Sequence, residues 1–309
     1  MRNTIRGRKR HMKKAAWFFE FIVFVIVSIP FAILPLKWSK KAGELLGLFV
    51  FYLWQSRRRI AIQNLKAVIS SGALTFPEPA ETVIRDNFKN LGKTISEVVR
   101  LYYNRGGKII DAVEIEGIEH FRDALLKGKG ILFITGHCGN WELMAITVAL
   151  KLKAASVVAR PVDNPFINHF AERVRKKYGN TLIYKKGALK PIIQALRSNG
   201  LIGILMDQAV KRDEGFVMDF LGIGAWTMKM PALIARKTGA AVLPTFIHRT
   251  EKGHTITINP AVELSTQQDR DAAVVEDTKR FSWYVEEYIR QHPTEWLWIH
   301  KRWKRIIKY

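Results

Sequence analysis

From about residue 109 the chain alternates short, unbroken apolar runs with amphipathic stretches. Residues 131–135, 155–159, 181–184, 201–206, 241–248 and 254–259 have the length and β-branched content of strands. A helix opens at Asn164-Pro165, where Asn caps and Pro suits the first turn, and stops near Gly179; another runs from Leu189 to Gly200. Strands that lack a polar alternation are buried on both faces, so the pattern predicts an α/β domain: a central, largely parallel sheet with helices on both faces. Residues 57–108 read as helical, with Val83, Phe88, Leu91, Ile95, Val98, Val99 and Leu101 spaced for one apolar face. No chemistry is visible there.

The first 56 residues have a different pattern. Basic residues (Arg2, Arg6, Arg8, Lys9, Arg10, Lys13, Lys14) precede Trp17-Phe18-Phe19 and an apolar run from Phe21 to Leu36. No small-residue cleavage site follows, so the segment is expected to stay on the protein as a membrane anchor. Its 16 apolar residues would make a helix of roughly 24 Å, short of a hydrocarbon core of about 30 Å, and Pro30 and Pro35 are expected to break its far end. Leu45 to Trp54 could return the chain as a shallow hairpin. The expectation is a segment that dips into one leaflet, or a helical hairpin, with a buried core helix pair as the alternative. The chain thus divides into an anchor (1–56) and a domain (57–309), the latter with a helical lead-in (57–108) and an α/β core (109–309).

Charge sharpens this picture. The net charge is +23, and residues 1–60 carry thirteen Lys/Arg against Glu20 and Glu44, while residues 296–309 carry five and no acid. Trp298, Trp303 and Tyr309 interleave with the terminal cations, a mixture that suits either base stacking or a lipid headgroup zone. No nucleic-acid-binding motif accompanies them, so the membrane is the expected partner and nucleic acid is not. A single cysteine, Cys138, rules out an intramolecular disulfide and points the folded part toward the cytosol. The histidines show no metal-ligand spacing, and there is neither a P-loop nor a Gly-x-Gly-x-x-Gly, so no metal and no nucleotide cofactor is expected.

The segment that carries chemistry is Gly130 to Met144. A buried strand ends at Thr135, Gly136 lets the chain leave it, and Asn140 can cap a helix beginning at Trp141. His137 then lies at a strand's carboxyl end, where open α/β sheets place their ligands. Glu142, in the first helical turn, could reach back to hold the imidazole in one tautomer, giving a base and its orienter. A strand-end histidine bonded to backbone, with Glu142 merely favouring a helix start, fits the same residues. Cys138 is expected to face the interior as a small hydrophobe, since adjacent residues leaving a strand point in opposite directions.

Gly136-His137-Cys138-Gly139-Asn140-Trp141-Glu142 resembles the signature of the lipid A late acyltransferases, bacterial inner-membrane enzymes of the wider glycerolipid acyltransferase group. Four further blocks are similar: Arg160-Pro161 with Asp163-Asn164-Pro165 and Arg175; Met206-Asp207-Gln208 with Phe220-Leu221-Gly222 and Thr227; Ala235 and Gly239 with Val242-Leu243-Pro244; and Pro293 to Arg302. The chain departs from the pattern at Met230, where members often have glycine, and it carries Glu142 where the wider group has aspartate. The resemblance implies transfer of a fatty acyl chain from an acyl carrier protein or coenzyme A thioester to a hydroxyl of an anionic lipid. The expected acceptor is a lipid A precursor, with another glycolipid or a phospholipid as the alternative. It implies His137 as base, Glu142 as its orienter, Asp207 as a second acid near the imidazole, and Arg160, Asn140, Gln208 and Arg175 as substrate-binding residues. It also implies no cofactor beyond the donor, and a catalytic domain on the cytoplasmic side of the inner membrane. A non-catalytic membrane or nucleic-acid-binding protein is the remaining reading, and it gives no reason for these blocks to occur in this order.

Overall fold

The computed structural model describes the backbone from Arg2 and the side chains from Lys13 onward. The basic side chains from Arg2 to Arg10 thus lie outside the described residues.

Among the described residues five helices lead in: α1 (Arg2–Ile33), α2 (Leu36–Leu53), α3 (Gln55–Ser70), α4 (Ala80–Tyr102) and the short α5 (Gly107–Asp111). The α/β part follows as β1 (Val113–Glu116), α6 (Ile118–Leu126), β2 (Ile131–Thr135), α7 (Trp141–Lys151), β3 (Ala155–Ala159), α8 (Pro165–Lys177), β4 (Thr181–Tyr184), α9 (Leu189–Arg197) and β5 (Leu201–Leu205). It continues with the hairpin β6 (Gly215–Phe220) and β7 (Ile223–Met228), then α10 (Met230–Thr238), β8 (Ala241–Arg249), β9 (His254–Ile258) and α11 (Arg270–Gln291).

Seven strands form one sheet in the order β1-β9-β8-β2-β5-β3-β4. Neighbours from β8 to β4 run parallel, and β9 reverses direction against β8 and pairs in parallel with β1. The predicted α/β architecture is therefore present. Side chains alternate across the sheet: Ile131 and Phe133 join a core with Leu143 and Ile146 of α7, while Leu132 and Ile134 join one with Ile192, Ile234 and Phe281 of α9, α10 and α11. Three strands went unforeseen. β1 is four residues with two glutamates, and β6 and β7 turn at Leu221-Gly222, both with positive φ (53° and 75°), without the Asn-Gly signal of such turns.

Pro30 does not break α1, which continues to Ile33. The stretch Lys13–Ile33 has 21 residues, about 32 Å of helix, with a mean hydropathy of 2.3 over its most apolar 18 residues, so it is long and apolar enough to cross a membrane by length and composition. One side of it is nonetheless occupied by the domain. Asn164 Nδ2 donates to the Trp17 carbonyl (2.8 Å) and to Glu20 Oε2 (3.0 Å), and Phe21 and Phe24 pack edge-on or stacked against Phe166 and Phe170 of α8. At the other end Arg100 of α4 donates to the carbonyls of Phe31 (3.0 Å) and Leu34 (2.5 Å), satisfying the open end of α1. The opposite side presents Phe19, Ile22, Ile26 and Ile33 to the outside, and α2 presents Trp38, Leu45, Phe49 and Tyr52.

α2 reaches α4 through glycines. A Cβ on Gly43 would lie 2.5 Å from the Gly92 carbonyl oxygen, and one on Gly47 2.0 Å from that of Phe88, so the two backbones touch where side chains would hold them apart. Gly47→Ala is expected to cost about 1–3 kcal/mol of stability, as over-packing does. Gly107→Ala, which meets nothing within 4 Å, is the neutral comparison. Thermal unfolding in detergent micelles measures both; an unchanged Tm for Gly47→Ala would mean that the α2–α4 contact is not the close one described.

Candidate active site

The register of two neighbouring strands builds the site. Thr135 of β2 pairs with Leu205 of β5, and the Met206 N–H donates to the Thr135 carbonyl (2.9 Å), so the chains leave both strands at the same height. Two residues on, His137 and Asp207 therefore face each other, with Nδ1 2.8 Å from Asp207 Oδ1. The second carboxylate oxygen, Oδ2, accepts from the Trp296 indole N–H at 2.9 Å. Asp207 and Trp296 are both buried, and His137 is partly open.

The loop that carries His137 is held by the carboxyl-terminal segment. Gly139 N–H donates to the Glu295 carbonyl (2.9 Å) and Leu297 N–H to the His137 carbonyl (3.1 Å). Gly139 has φ +55°, and a Cβ there would come within 2.0 Å of the Ile247 carbonyl oxygen, so only glycine fits. Asn140 caps α7 as predicted, accepting from Leu143 N–H at 3.1 Å, and its amide nitrogen donates to Glu97 Oε2 at 3.0 Å.

Glu97, from the lead-in that had shown no chemistry, sits fully buried beneath this loop, paired with Arg249 and with Lys40 at 3.3 Å. Burial pushes its pKa up, and the hydrogen bonds and charges of His254 and Arg249 outweigh that, holding it well below the usual carboxylate range. The signal for it was an acid beside the apolar stripe of α4, between Ser96 and Val98.

The structure redistributes the remaining candidates. Glu142 does not hold the imidazole. Its carboxylate is engaged by Arg175, whose Nε donates to Oε2 at 3.1 Å and whose Nη2 donates to Oε1. The ring's hydrogen-bonded carboxylate is Asp207, from a different strand. Asn140 is 1% exposed and spends its amide on α7 and Glu97, so it is not free to meet a substrate. Arg160 lies exposed at the rim, 3.1 Å from Asp163. Gln208 approaches the imidazole itself, its amide nitrogen 3.2 Å from His137 Nε2. Thr227 is buried and accepts from the fully buried Arg302 at 2.6 Å, away from the opening. Trp296 lies within the closing block, Pro293 to Arg302, and nothing in the local sequence shows that its indole meets residue 207.

A cavity of about 380 Å³ opens beside His137 and runs under the sheet. Its walls are mostly apolar: Trp141, Met144 and Val148 of α7, Phe133 of β2, Val157 of β3, and Met228 and Met230. Beside His137, its polar lining includes Glu142, Arg160, Arg175, Lys185 and Gln208. Gly203 of β5 pairs in register with Phe133 on one side and Val157 on the other, and a Cβ there would meet nothing within 4 Å. A mid-strand glycine weakens a sheet; here it leaves room in the cavity. Cys138 is turned inward, 1% exposed, as predicted, and burial together with the charges of Asp207 and Glu295 pushes its thiol well above the usual range.

Electrostatics define the pair. Burial pulls the His137 pKa down, but the charge and hydrogen bond of Asp207, with a smaller contribution from Glu142, outweigh it and raise it above the ordinary imidazole range. Burial raises that of Asp207, and His137 together with the Trp296 N–H brings it to about 2. An anionic Asp207 favours the tautomer with its proton on Nδ1, which leaves the Nε2 lone pair facing the Gln208 amide.

A buried carboxylate bonded to a partly open imidazole at the carboxyl edge of an α/β sheet, beside a mostly apolar cavity, suits base chemistry on an apolar substrate. Comparison with known proteins makes this specific. The bacterial lipid A biosynthesis acyltransferase family matches residues 5–305, and the chain belongs to it. It is similar to the lipid A biosynthesis lauroyltransferase of Escherichia coli (strain K12), 25% identical over 296 residues that cover 93% of this chain and 90% of the relative. It is also similar to the lipid A biosynthesis palmitoleoyltransferase of the same strain (23% over 296 residues, 93% and 90%) and to a phosphatidylinositol mannoside acyltransferase of Mycobacterium tuberculosis (strain CDC 1551 / Oshkosh; 24% over 255 residues, 78% and 75%). The chain is an acyltransferase of glycolipid biosynthesis.

The pair can be checked without a substrate. The imidazole of His137, followed by NMR, is expected to titrate above the ordinary range of a free imidazole in the wild type. It should fall in Asp207→Asn, where burial is left with only Glu142 to oppose it, and fall less in Glu142→Gln. A larger fall in Glu142→Gln would make Glu142 the controlling carboxylate.

Proposed function

We propose that the protein transfers a fatty acyl chain from a thioester, on acyl carrier protein or coenzyme A, to a hydroxyl of a lipid A precursor. The observation that carries this is the His137–Asp207 pair at the mouth of an apolar cavity. His137 Nε2 takes the proton of the acceptor hydroxyl as its oxygen attacks the thioester carbonyl. The carbon–sulfur bond then breaks, and the proton passes from the imidazolium to the departing thiolate. Asp207 holds the tautomer and stabilises the imidazolium. Gln208 donates to Nε2 in the substrate-free protein, in the place the acceptor hydroxyl takes. The acyl chain lies along Phe133, Gly203 and Val157, and Arg160 and Lys185 at the rim suit the phosphates of donor or acceptor. A different glycolipid acceptor is the second reading, favoured by the likeness to the phosphatidylinositol mannoside acyltransferase.

The exposed apolar faces of α1 and α2 seat the domain on the membrane. Because α8 and α4 occupy one side of α1 from Trp17 to Leu34, this helix lies beside the domain rather than apart from it, which favours entry into one leaflet. The bacterial inner membrane, with the catalytic domain on its cytoplasmic face, is the location that fits a cytoplasmic thioester donor.

Purified variants assayed with an acyl thioester and a lipid A precursor test the reading. His137→Ala is expected to abolish transfer, Asp207→Asn to lower kcat by roughly 10³–10⁴ through the wrong tautomer, and Cys138→Ala to keep most activity. Wild-type turnover by His137→Ala would sink the mechanism, and activity on another glycolipid alone would reassign the acceptor. Gly203→Leu fills the cavity and is expected to shift preference to shorter acyl donors while leaving turnover of the shortest intact; an unchanged donor profile would place the chain elsewhere.

A further inference from the structure

We infer that Trp296 is a positioning residue for the base, its indole N–H fixing the Asp207 carboxylate so that the other oxygen meets His137. The inference rests on the reading of His137 and Asp207 given above.

A carboxylate can rotate about its terminal bond, and that torsion is broad. An Asp207 anchored only by His137 could turn its oxygens out of line with Nδ1. The indole removes that freedom: Oδ2 accepts from Trp296 Nε1 at 2.9 Å while Oδ1 lies 2.8 Å from the imidazole. The indole is itself immobile. Trp296 is 1% exposed and packed against Phe220, Trp298 and Trp303, with ring centroids at 5.9, 4.7 and 6.1 Å.

The backbone on each side of Trp296 is tied to the loop it serves. Glu295 accepts from Gly139 and Leu297 donates to His137, so residues 295–297 lie against residues 137–139 as a short antiparallel bridge. One segment therefore sets the height of the imidazole through its main chain and the angle of the carboxylate through its indole. A buried tryptophan whose N–H needed only some acceptor could use any carbonyl, as Trp298 does with that of Pro293 (2.7 Å). Trp296 instead meets the carboxylate that holds the imidazole.

Trp296→Phe keeps the ring and removes the donor. The carboxylate then loses a bond to its charged form, and the histidine–aspartate pair takes up a proton more readily. Other charged and titratable groups around the pair stay in place: Glu142 from α7, Cys138 and Glu295 beside the loop, and His300 and Arg302 from the closing segment. The acid limb of the kcat/KM profile is expected to move up by about half to one pH unit. The kcat at the optimum should fall by about tenfold, with KM for the donor little changed.

The deciding experiment is a double-mutant cycle on the full chain in detergent or lipid. If Trp296 acts through Asp207, Trp296→Phe lowers kcat in the wild-type background but has little further effect in Asp207→Asn. The NMR signal of the His137 Nδ1 proton should also shift or broaden in Trp296→Phe. Penalties that multiply, with the acid limb of Trp296→Phe where it is in the wild type, would make Trp296 a packing residue and overturn the inference. Failure of the underlying reading shows separately, as retained activity in His137→Ala.

Discussion

The bond between His137 and Asp207 depends on a register, and much of the site depends on that bond. β2 and β5 are parallel neighbours joined from Ile131↔Leu201 to Thr135↔Leu205. A slip of one residue would put Asp207 on the other side of the sheet from the imidazole. The register is secured by strands buried on both faces, where apolar side chains on the two sides must each find their own core. The charge states follow. An anion at Asp207, in a place where burial alone would neutralise it, is sustained by the imidazole and an indole N–H, and in turn raises the imidazole.

The surrounding elements serve this pair in distinct ways. α7 begins at a capped turn beside it and sends Trp141, Met144 and Val148 along the cavity, so the helix that starts at the base also walls the apolar space beside it. The Glu142–Arg175 pair ties α7 to α8, and α8 leans on α1 through Asn164, Phe166 and Phe170. The chain of contacts from cavity wall to apolar outer surface is therefore short. A lipid with its head at the rim and its tails in a leaflet would meet both.

How much was legible in the sequence follows from how local each feature is. Six strands announced themselves as continuous apolar runs, and the caps at Asn140 and Asn164 were visible because a cap is read within four residues. Strand β1 and the β6–β7 hairpin gave no such run. At the site, His137 was legible from its place after a strand, but its partner was not. The spacing His-x4-Glu suggested a carboxylate one turn away, whereas the side chain that reaches the ring is 70 residues on and the nearer one turns to Arg175. The resemblance to the family brought Asp207 forward as a second acid near the imidazole, and in the structure it is the carboxylate bonded to the ring. Glu97 and Trp296 lay beyond both kinds of reasoning, since each acts across the fold on a loop distant in sequence.

A crystal structure of the protein with a non-transferable acyl thioether, its sulfur bridge replacing the reactive thioester, tests the central claim most directly. The account predicts the chain in the cavity over Gly203, between Phe133 and Val157, with the position of the acyl carbon next to His137 Nε2 and the Asp207 bond intact. A chain seated elsewhere, or an imidazole turned from Asp207 to Glu142 once the cavity is filled, would contradict it.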